Sequence, residues 1–303
     1  MHITLLGTAA GGGFPQWNCW CACCRIARDN PQAAWPRTQS SVAVSRDGQR
    51  WFLLNASPDV RDQIRRLPVT SQPTTIRHVP IEGVVLTDAE LDHSLGVVLL
   101  REARRLPVFA TSAIRRVLEQ DSKILPVTRA FADVPTTDLP LNEPVPLCNR
   151  DGSSSGLSVE AFPVPAGPPR FASDDGEGHT VGLTLREDAT NRTCAFVPGC
   201  GGLSPALVDR LSKADVLLFD GTFWTDDEPV AVGISDRTAR EMDHLPVGGA
   251  GGSLEQLRAL PCAYRVYTHI NNTNPMLLES SDERASVTSQ GLIVGYDGLY
   301  ITL

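Results

Sequence analysis

An acidic stretch with one histidine, residues 86–96, constrains this sequence more than any other segment. It reads Leu-Thr-Asp-Ala-Glu-Leu-Asp-His-Ser-Leu-Gly. The apolar run before it, 83–86, predicts a buried strand. The segment after it, 94–103, has the spacing of an amphipathic helix. Because α/β proteins place ligands at such strand-to-helix turns, the stretch predicts an α/β fold with a functional site here.

Two interpretations are open for the titratable side chains of this stretch. Carboxylates and an imidazole together suit a hard or borderline metal ion. Acidic residues ahead of a helix also complement the positive end of its dipole, each by about 0.3–1 kcal/mol. The stretch alone does not decide between a metal site and an acidic helix cap. The side chains concerned are Asp88, Glu90, Asp92 and His93.

Composition excludes several classes of function. The 303 residues, 42% hydrophobic and 20% charged, are typical of a globular protein and permit one domain, 1–303. The net charge of −8 argues against non-specific binding to nucleic acid or anionic membranes. No apolar run approaches the roughly 20 residues that span a bilayer, and no charged segment precedes an apolar run at the start. We therefore expect a cytoplasmic protein without a secretory signal or a transmembrane segment.

Four cysteines lie within the six residues 19–24. Disulfides are rare in the cytoplasm, and core packing would space the thiols at helix or strand periods. The C-x-C-x-x-C spacing of Cys19, Cys21 and Cys24 suits three thiolates around a tetrahedral Zn²⁺, with a fourth ligand from elsewhere. The isolated cysteines are each expected to be small buried apolar residues. They are Cys148, Cys194, Cys200 and Cys262.

Polar side chains follow two more predicted strands. The apolar run 216–219 ends at Asp220, and the run 264–267 is followed by His269. His244 lies in a glycine-rich loop. Several strands that are each followed closely by Asp or His indicate one converging site at an edge of the sheets.

Turn and cap signals predict local structure elsewhere in the chain. Asp-Gly at 47–48 and again at 297–298 lies between apolar runs, which predicts two hairpins. Ser253 with Gln256 predicts a capping box at a helix start. The segment 163–178, rich in Pro, Gly and Asp, is expected to be a surface loop near the mouth of the site and a candidate lid.

Residues 87–96 resemble the metallo-β-lactamase superfamily motif T-H-x-H-x-D-H-x-x-G. Asp92 and His93 match the motif, whereas Asp88 and Glu90 stand where its two early histidines would be. The resemblance implies an αββα sandwich of two mixed β-sheets flanked by helices.

Three further positions carry the same resemblance. Asp220 resembles the bridging aspartate of the superfamily, and His269 resembles its last histidine. His244, followed by Leu-Pro-Val-Gly-Gly, resembles the extra histidine loop of the RNase Z and PhnP branch. The histidine expected near 198–200 is missing.

The cysteine segment 19–24 and the sequence His-Ile-Asn-Asn-Thr-Asn-Pro at 269–275 complete the pattern. Together with the altered motifs, they resemble the branch of the superfamily that takes part in pyrroloquinoline quinone (PQQ) biosynthesis. In the PhnP branch, the matching cysteines hold structural zinc with a histidine at the position of Asn272. Here the fourth zinc ligand is left open between Asn272, Cys23 and water.

The resemblance implies an iron-dependent, O₂-using hydroxylation of the tyrosine in a Glu-Tyr precursor derived from the PqqA peptide. Two imidazoles with carboxylate are also typical of non-haem Fe²⁺ sites. We expect one metal, Fe²⁺ or Zn²⁺, with His244 as an acid/base or substrate contact and Asp88 as a hydrogen-bond partner of a metal ligand. The expected ligands are Asp92, His93, Asp220 and His269, with Glu90 as a further candidate.

Two alternatives belong to other classes. By superfamily analogy the chain could be a metal-dependent hydrolase, which would turn over with zinc and without O₂. As a carrier it would bind PQQ or its precursor for transport to the periplasm and would consume no O₂. The expected partners are the small PQQ precursor and other PQQ biosynthesis proteins. A homodimer is also compatible with the sequence.

Overall fold

The computed structural model describes residues 1–68 and 76–303. The strands in this part of the chain form two seven-stranded sheets. They are β1 (His2–Gly7), β2 (Ser41–Ser45), β3 (Trp51–Leu54), β4 (Ile81–Val85), β5 (Val108–Ala110), β6 (Thr136–Asp138), β7 (Pro144–Cys148), β8 (Ser154–Pro163), β9 (Val181–Glu187), β10 (Thr193–Val197), β11 (Val216–Asp220), β12 (Tyr264–Thr268), β13 (Ile293–Val294) and β14 (Tyr300–Thr302).

Short helices connect the strands. None of those that the structure describes is long and apolar enough to cross a bilayer. They are α1 (Ala22–Asp29), α2 (Val60–Ile64), α3 (Leu91–Ser94), α4 (Gly96–Leu99), α5 (Ser112–Arg116), α6 (Ile124–Arg129), α7 (Pro205–Leu211), α8 (Glu228–Val232), α9 (Ser253–Leu257) and α10 (Asp282–Ser289).

Both sheets are mixed. The first has the order β14-β1-β2-β3-β4-β5-β6, with antiparallel pairing from β14 to β3 and parallel pairing from β3 to β6. The second has the order β13-β12-β11-β10-β9-β8-β7, parallel from β13 to β10 and antiparallel from there to β7. This architecture confirms the αββα sandwich that the motifs implied.

The alternation of side chains along β11 shows how the layers pack. Val216 and Leu218 join the core shared with the first sheet, whereas Leu217 and Phe219 join a second core with helix residues. All four are at most 1% exposed. Because both faces of the strand are covered, its sequence is a continuous apolar run rather than an alternating one.

One of the two predicted hairpins is confirmed and the other is wrong. β2 and β3 pair antiparallel around 47–48, with Val42 opposite Leu54. The segments on either side of 297–298 separate instead, because β13 pairs with β12 in the second sheet and β14 pairs with β1 in the first. The Asp297 carboxylate accepts hydrogen bonds from the Thr38 backbone N–H at 2.7 Å and the Thr8 hydroxyl at 3.0 Å, which fixes this crossing.

The predicted helix over 94–103 is also wrong in its bounds. The helical turn α3 begins at Leu91 and stops before Gly96, whose N–H donates to the Ala56 carbonyl at 2.8 Å. The Ala56 N–H in turn donates to the His93 carbonyl at 2.7 Å. The turn that carries His93 is therefore fastened to the segment after β3.

Ser253 does not form the predicted capping box. The residue before α9 is Gly252, and no side chain caps that helix. Ser253 is fully buried, and its hydroxyl lies 3.0 Å from the Tyr267 hydroxyl. Its hydrogen-bonding capacity is therefore used across the core rather than at the helix end.

We predict that Gly96→Ala lowers the free energy of unfolding by about 1–3 kcal/mol. A Cβ at position 96 would lie 2.3 Å from the Ser57 carbonyl oxygen and 2.5 Å from that of Ala56, so the backbone must move. Urea unfolding measures the change. The control is Gly202→Ala, where the added carbon meets its nearest neighbour at 3.8 Å. Equal stability of the two variants would contradict the steric argument.

Candidate metal centre

Three strand ends bring the predicted site residues together. α3, which follows β4, carries Asp92 and His93. Asp220 ends β11 and pairs in register with Thr268, so His269 emerges beside it from the neighbouring strand. Asp92, His93 and His269 line one cavity of about 280 Å³. Asp220 is fully buried.

Asp92, His93 and His269 form one group of candidate ligands. Their ligand atoms all lie within 4.8 Å of one another. Asp92 Oδ2 is 3.8 Å from His93 Nε2 and 3.4 Å from His269 Nε2. His93 Nε2 is buried and has no hydrogen-bond partner among the described residues. Since buried polar atoms are nearly always satisfied, this orphaned nitrogen fits a metal ligand.

Asp88 supports His93 rather than lying in that group. Its Oδ2 is 2.7 Å from His93 Nδ1. The pKa of Asp88 lies below its usual range despite burial, because of the His93 imidazole, so the carboxylate can only accept. Nδ1 must therefore keep its proton, and a metal would bind at Nε2 in place of any proton there.

Thr222 orients His269 as Asp88 orients His93. The sequence analysis did not predict this role. Its hydroxyl lies 2.8 Å from His269 Nδ1 and 2.6 Å from Asp220 Oδ1. A hydroxyl has one proton, and the shorter contact indicates that it goes to Asp220, so Nδ1 donates to Thr222 and Nε2 is free. The signal was available, since Thr222 follows Asp220 by two residues at a strand end.

Asp220, His244 and His269 form a second group with ligand atoms within 4.8 Å. His244 Nδ1 is 2.7 Å from Asp220 Oδ2, and the His244 and His269 rings stack with centroids 5.4 Å apart. Asp220 also accepts from the Cys200 backbone N–H and from the N–H and hydroxyl of Thr222. These four donors occupy the carboxylate, so Asp220 holds its neighbours in place.

The remaining expected residues lie at the rim or farther away. Glu90 lines the cavity but belongs to neither ligand group. Cys200 lies in the segment 198–200 where the superfamily histidine was expected, and its backbone N–H donates to Asp220 Oδ2 at 3.0 Å. Part of the predicted lid contributes to the cavity wall, through Ala166, Gly167 and Pro168.

The cysteine cluster, Cys19, Cys21 and Cys24, is a separate group whose sulfur atoms lie within 4.8 Å of one another. Asn272 Nδ2 is 3.1 Å from Cys19 Sγ and 3.4 Å from Cys24 Sγ. A half-turn of that carboxamide would place Oδ1 at the same point as an oxygen ligand. Cys23 is outside that group, and its Sγ lies 3.5 Å from the Thr273 carbonyl oxygen. Three sulfurs with one amide fit a tetrahedral Zn²⁺.

The four isolated cysteines do not share one environment. Cys194, Cys200 and Cys262 are buried, as expected. Cys148 is exposed, which contradicts the expectation, because it ends the outermost strand of the second sheet.

Residues 50–270 match the family described as beta-lactamase superfamily domain. Coenzyme PQQ synthesis protein B of Rhizobium meliloti (strain 1021) is 41% identical over 311 residues, covering 100% of this chain and 98% of that protein. The chain belongs to the coenzyme PQQ synthesis protein B family. The resemblance drawn from the motifs is thereby confirmed.

Solved structures agree with this family assignment. A crystal structure of Zn²⁺-bound PqqB from Methylobacterium extorquens is 39% identical with a TM-score of 0.90 and covers 100% of both chains. A diphosphatase of the PhnP family is 20% identical with a TM-score of 0.69, covering 100% of this chain and 97% of that one. The second likeness shows a shared fold alone.

We predict that Asp88→Asn weakens Co²⁺ or Fe²⁺ binding at the cavity about 10- to 100-fold, because His93 loses the acceptor that orients it. Equilibrium titration of the metal-free protein measures the dissociation constant. Asp62→Asn, on the exposed side of α2, is the control and should leave the constant unchanged. Equal binding by both variants would contradict this role of Asp88.

A second prediction concerns pH. Burial by itself lowers the pKa of His93, but the carboxylates of Asp88 and Asp92 outweigh it and raise the pKa to about 9. The folded metal-free protein therefore gains stability from protonated His93 at low pH. That contribution is complete below about pH 6.5 and is lost as the pH rises through about 9.

Urea unfolding across this range should show a steeper fall for the wild type than for His93→Gln, both metal-free. The difference between the two proteins isolates the contribution of His93 from that of the other titratable groups. Parallel curves would show that the two carboxylates do not hold a proton on this imidazole.

Proposed function

We propose that this chain acts in PQQ synthesis as a metal-dependent oxygenase. Its substrate would be the tyrosine of the Glu-Tyr precursor derived from the PqqA peptide, which it hydroxylates with O₂. Membership of the coenzyme PQQ synthesis protein B family supports the pathway. The ligand group Asp92, His93 and His269 supports the chemistry.

That ligand group is the observation that carries the proposal. Two imidazoles and one carboxylate with open positions are typical of non-haem Fe²⁺ oxygenases. Fe²⁺ bound there would supply O₂ activation. A dinuclear hydrolase needs ligands for two ions about 3.5–4 Å apart. Here Asp88, in place of an early histidine, is engaged by His93, which favours one ion.

His244 is suited to handle a proton of the substrate. Its ring lines the cavity, and its Nδ1 is held by Asp220. Burial lowers the pKa of His244, but the Asp220 carboxylate outweighs it and the pKa lies above its ordinary value. We assign His244 the role of accepting the phenol proton at Nε2, which makes the ring richer in electrons before hydroxylation.

The function is tested by O₂ uptake after anaerobic reconstitution with Fe²⁺. Inserting one oxygen atom of O₂ into a ring C–H bond requires two electrons to reduce the other atom to water, so ascorbate is included. We expect hydroxylated product from the wild type with the Glu-Tyr substrate. For His93→Ala we expect product and metal binding to fall by at least about 100-fold.

The control is His78→Ala, an exposed histidine outside the cavity, which should behave as the wild type. Turnover with Zn²⁺ alone and without O₂ would instead identify a hydrolase. Tight binding of PQQ without O₂ uptake would identify a carrier.

A further inference from the structure

One segment, 268–274, contacts both the Asp/His centre (Asp92, His93 and His269) and the cysteine cluster. Near its start, His269 Nε2 lies 3.4 Å from Asp92 Oδ2. Three residues later, the Asn272 side chain lies 3.1–3.7 Å from the sulfur atoms of the cysteine cluster. Because the segment is so short, a displacement of its backbone at one end would also displace the residues at the other end.

Beyond Thr268, which ends β12, the segment is buried although it forms no helix or strand. Asn271, Asn272, Thr273 and Asn274 are each at most 9% exposed. Buried irregular backbone must find side-chain or loop partners for its polar groups. The Asn274 carboxamide donates to the Gly221 carbonyl at 3.0 Å, and the Asn271 N–H donates to the Thr222 carbonyl at 3.0 Å.

Those partners belong to the turn that also orients His269. The Thr222 hydroxyl lies 2.8 Å from His269 Nδ1, 2.9 Å from the His269 carbonyl oxygen and 2.6 Å from Asp220 Oδ1. His269 has φ +55°, a left-handed conformation that is unfavourable for a residue with a Cβ. Such a conformation persists only where the surroundings fix it. The ring therefore depends on the turn and on the chain that follows.

The cysteine cluster holds the far end of the segment. Cys21 Sγ lies 3.5 Å from the Asn272 carbonyl oxygen, and Cys23 Sγ lies 3.5 Å from that of Thr273. Cys21 is the residue that caps α1, with its sulfur accepting from the Cys24 N–H. A divalent ion shared by the three sulfurs would draw α1 and the segment together, because metal binding organises the chain around it.

A further contact limits the size of the effect. The Ile270 N–H donates to the Thr8 carbonyl at 2.8 Å, and the Ala10 N–H donates to the Ile270 carbonyl at 2.9 Å. These bonds tie the start of the segment to the first sheet independently of the cysteines. We therefore expect a partial dependence of His269 on the cluster.

We propose that the cysteine cluster positions His269, with Asn272 and Asn274 as positioning residues, so that metal bound by the cysteines strengthens metal binding by Asp92, His93 and His269. The effect is reciprocal, since a coupling free energy between two binding sites acts equally in both directions. It is independent of which reaction the centre performs.

The test uses the whole chain with Zn²⁺ in the cysteine cluster and Co²⁺ as the probe of the Asp/His centre. Co²⁺ held by nitrogen and oxygen lacks the intense sulfur-to-metal absorption of a Co²⁺–thiolate site, so the two sites are distinguished. We expect Cys21→Ser and Asn272→Ala each to weaken Co²⁺ binding at the centre about tenfold. The visible spectrum should shift as well, because the His269 ring changes its orientation.

The control is Cys148→Ser, which removes an exposed thiol outside the cluster and should leave affinity and spectrum unchanged. A purely stabilising cluster would lower the melting temperature of Cys21→Ser but leave the Co²⁺ spectrum of the folded protein as in the wild type. If Cys21→Ser loses its zinc while Co²⁺ affinity at the centre stays within about twofold, the proposal is overturned.

Two variants keep the test decisive if Cys21→Ser does not fold. Asn272→Ala and Asn274→Ala retain all three cysteines of the cluster, and far-ultraviolet circular dichroism establishes that they are folded. Weaker Co²⁺ binding with a shifted spectrum in these variants supports the proposal. Unchanged binding and spectrum in both would refute it.

Discussion

The buried carboxylate of Asp220 is the interaction on which the site depends. A fully buried charge is destabilising by several kcal/mol unless it is paired and hydrogen-bonded. Four donors meet that requirement, from Cys200, Thr222 and His244. Each donor comes from a different loop or from the turn after β11. Satisfying one charge thus fixes the relative positions of three segments, and through Thr222 it also fixes the ring of His269.

Two of the three replaced superfamily histidines, those at position 88 and in the segment 198–200, change what the scaffold can hold. An imidazole at position 88 could ligate a metal directly, whereas the Asp88 carboxylate accepts a hydrogen bond from the Nδ1–H of His93. In the segment 198–200, where another histidine was expected, the Cys200 backbone N–H donates to Asp220. Two potential metal ligands have thus become supports for the remaining ones. The scaffold keeps its geometry, and the donor set that we propose for it is two imidazoles and one carboxylate.

The sequence predicts the parts of this structure that are local or carry a motif. The apolar run of β11 and the polar residues after the strands can be predicted, because buried strands are rich in apolar residues and strand ends are followed by polar ones. The hairpin at 297–298 failed because strand partners are chosen by tertiary contacts, here those of Asp297 with Thr8 and Thr38. The predicted capping box at Ser253 is wrong for the same reason, since the Ser253 hydroxyl contacts the Tyr267 hydroxyl instead. Thr222 was not predicted because a hydroxyl two residues after a strand-end carboxylate, although visible in the sequence, is too common a pattern to be singled out without geometry.

The candidate ligands are divided between the two sheets. Asp92 and His93 follow a strand of the first sheet, whereas His269 follows a strand of the second. An ion bound by all three would join the halves of the sandwich as a crosslink that forms only in the folded chain. Ligand at 100 times its dissociation constant stabilises a fold by about 2.7 kcal/mol. The resistance of the protein to unfolding and proteolysis would then increase with the concentration of free metal ion.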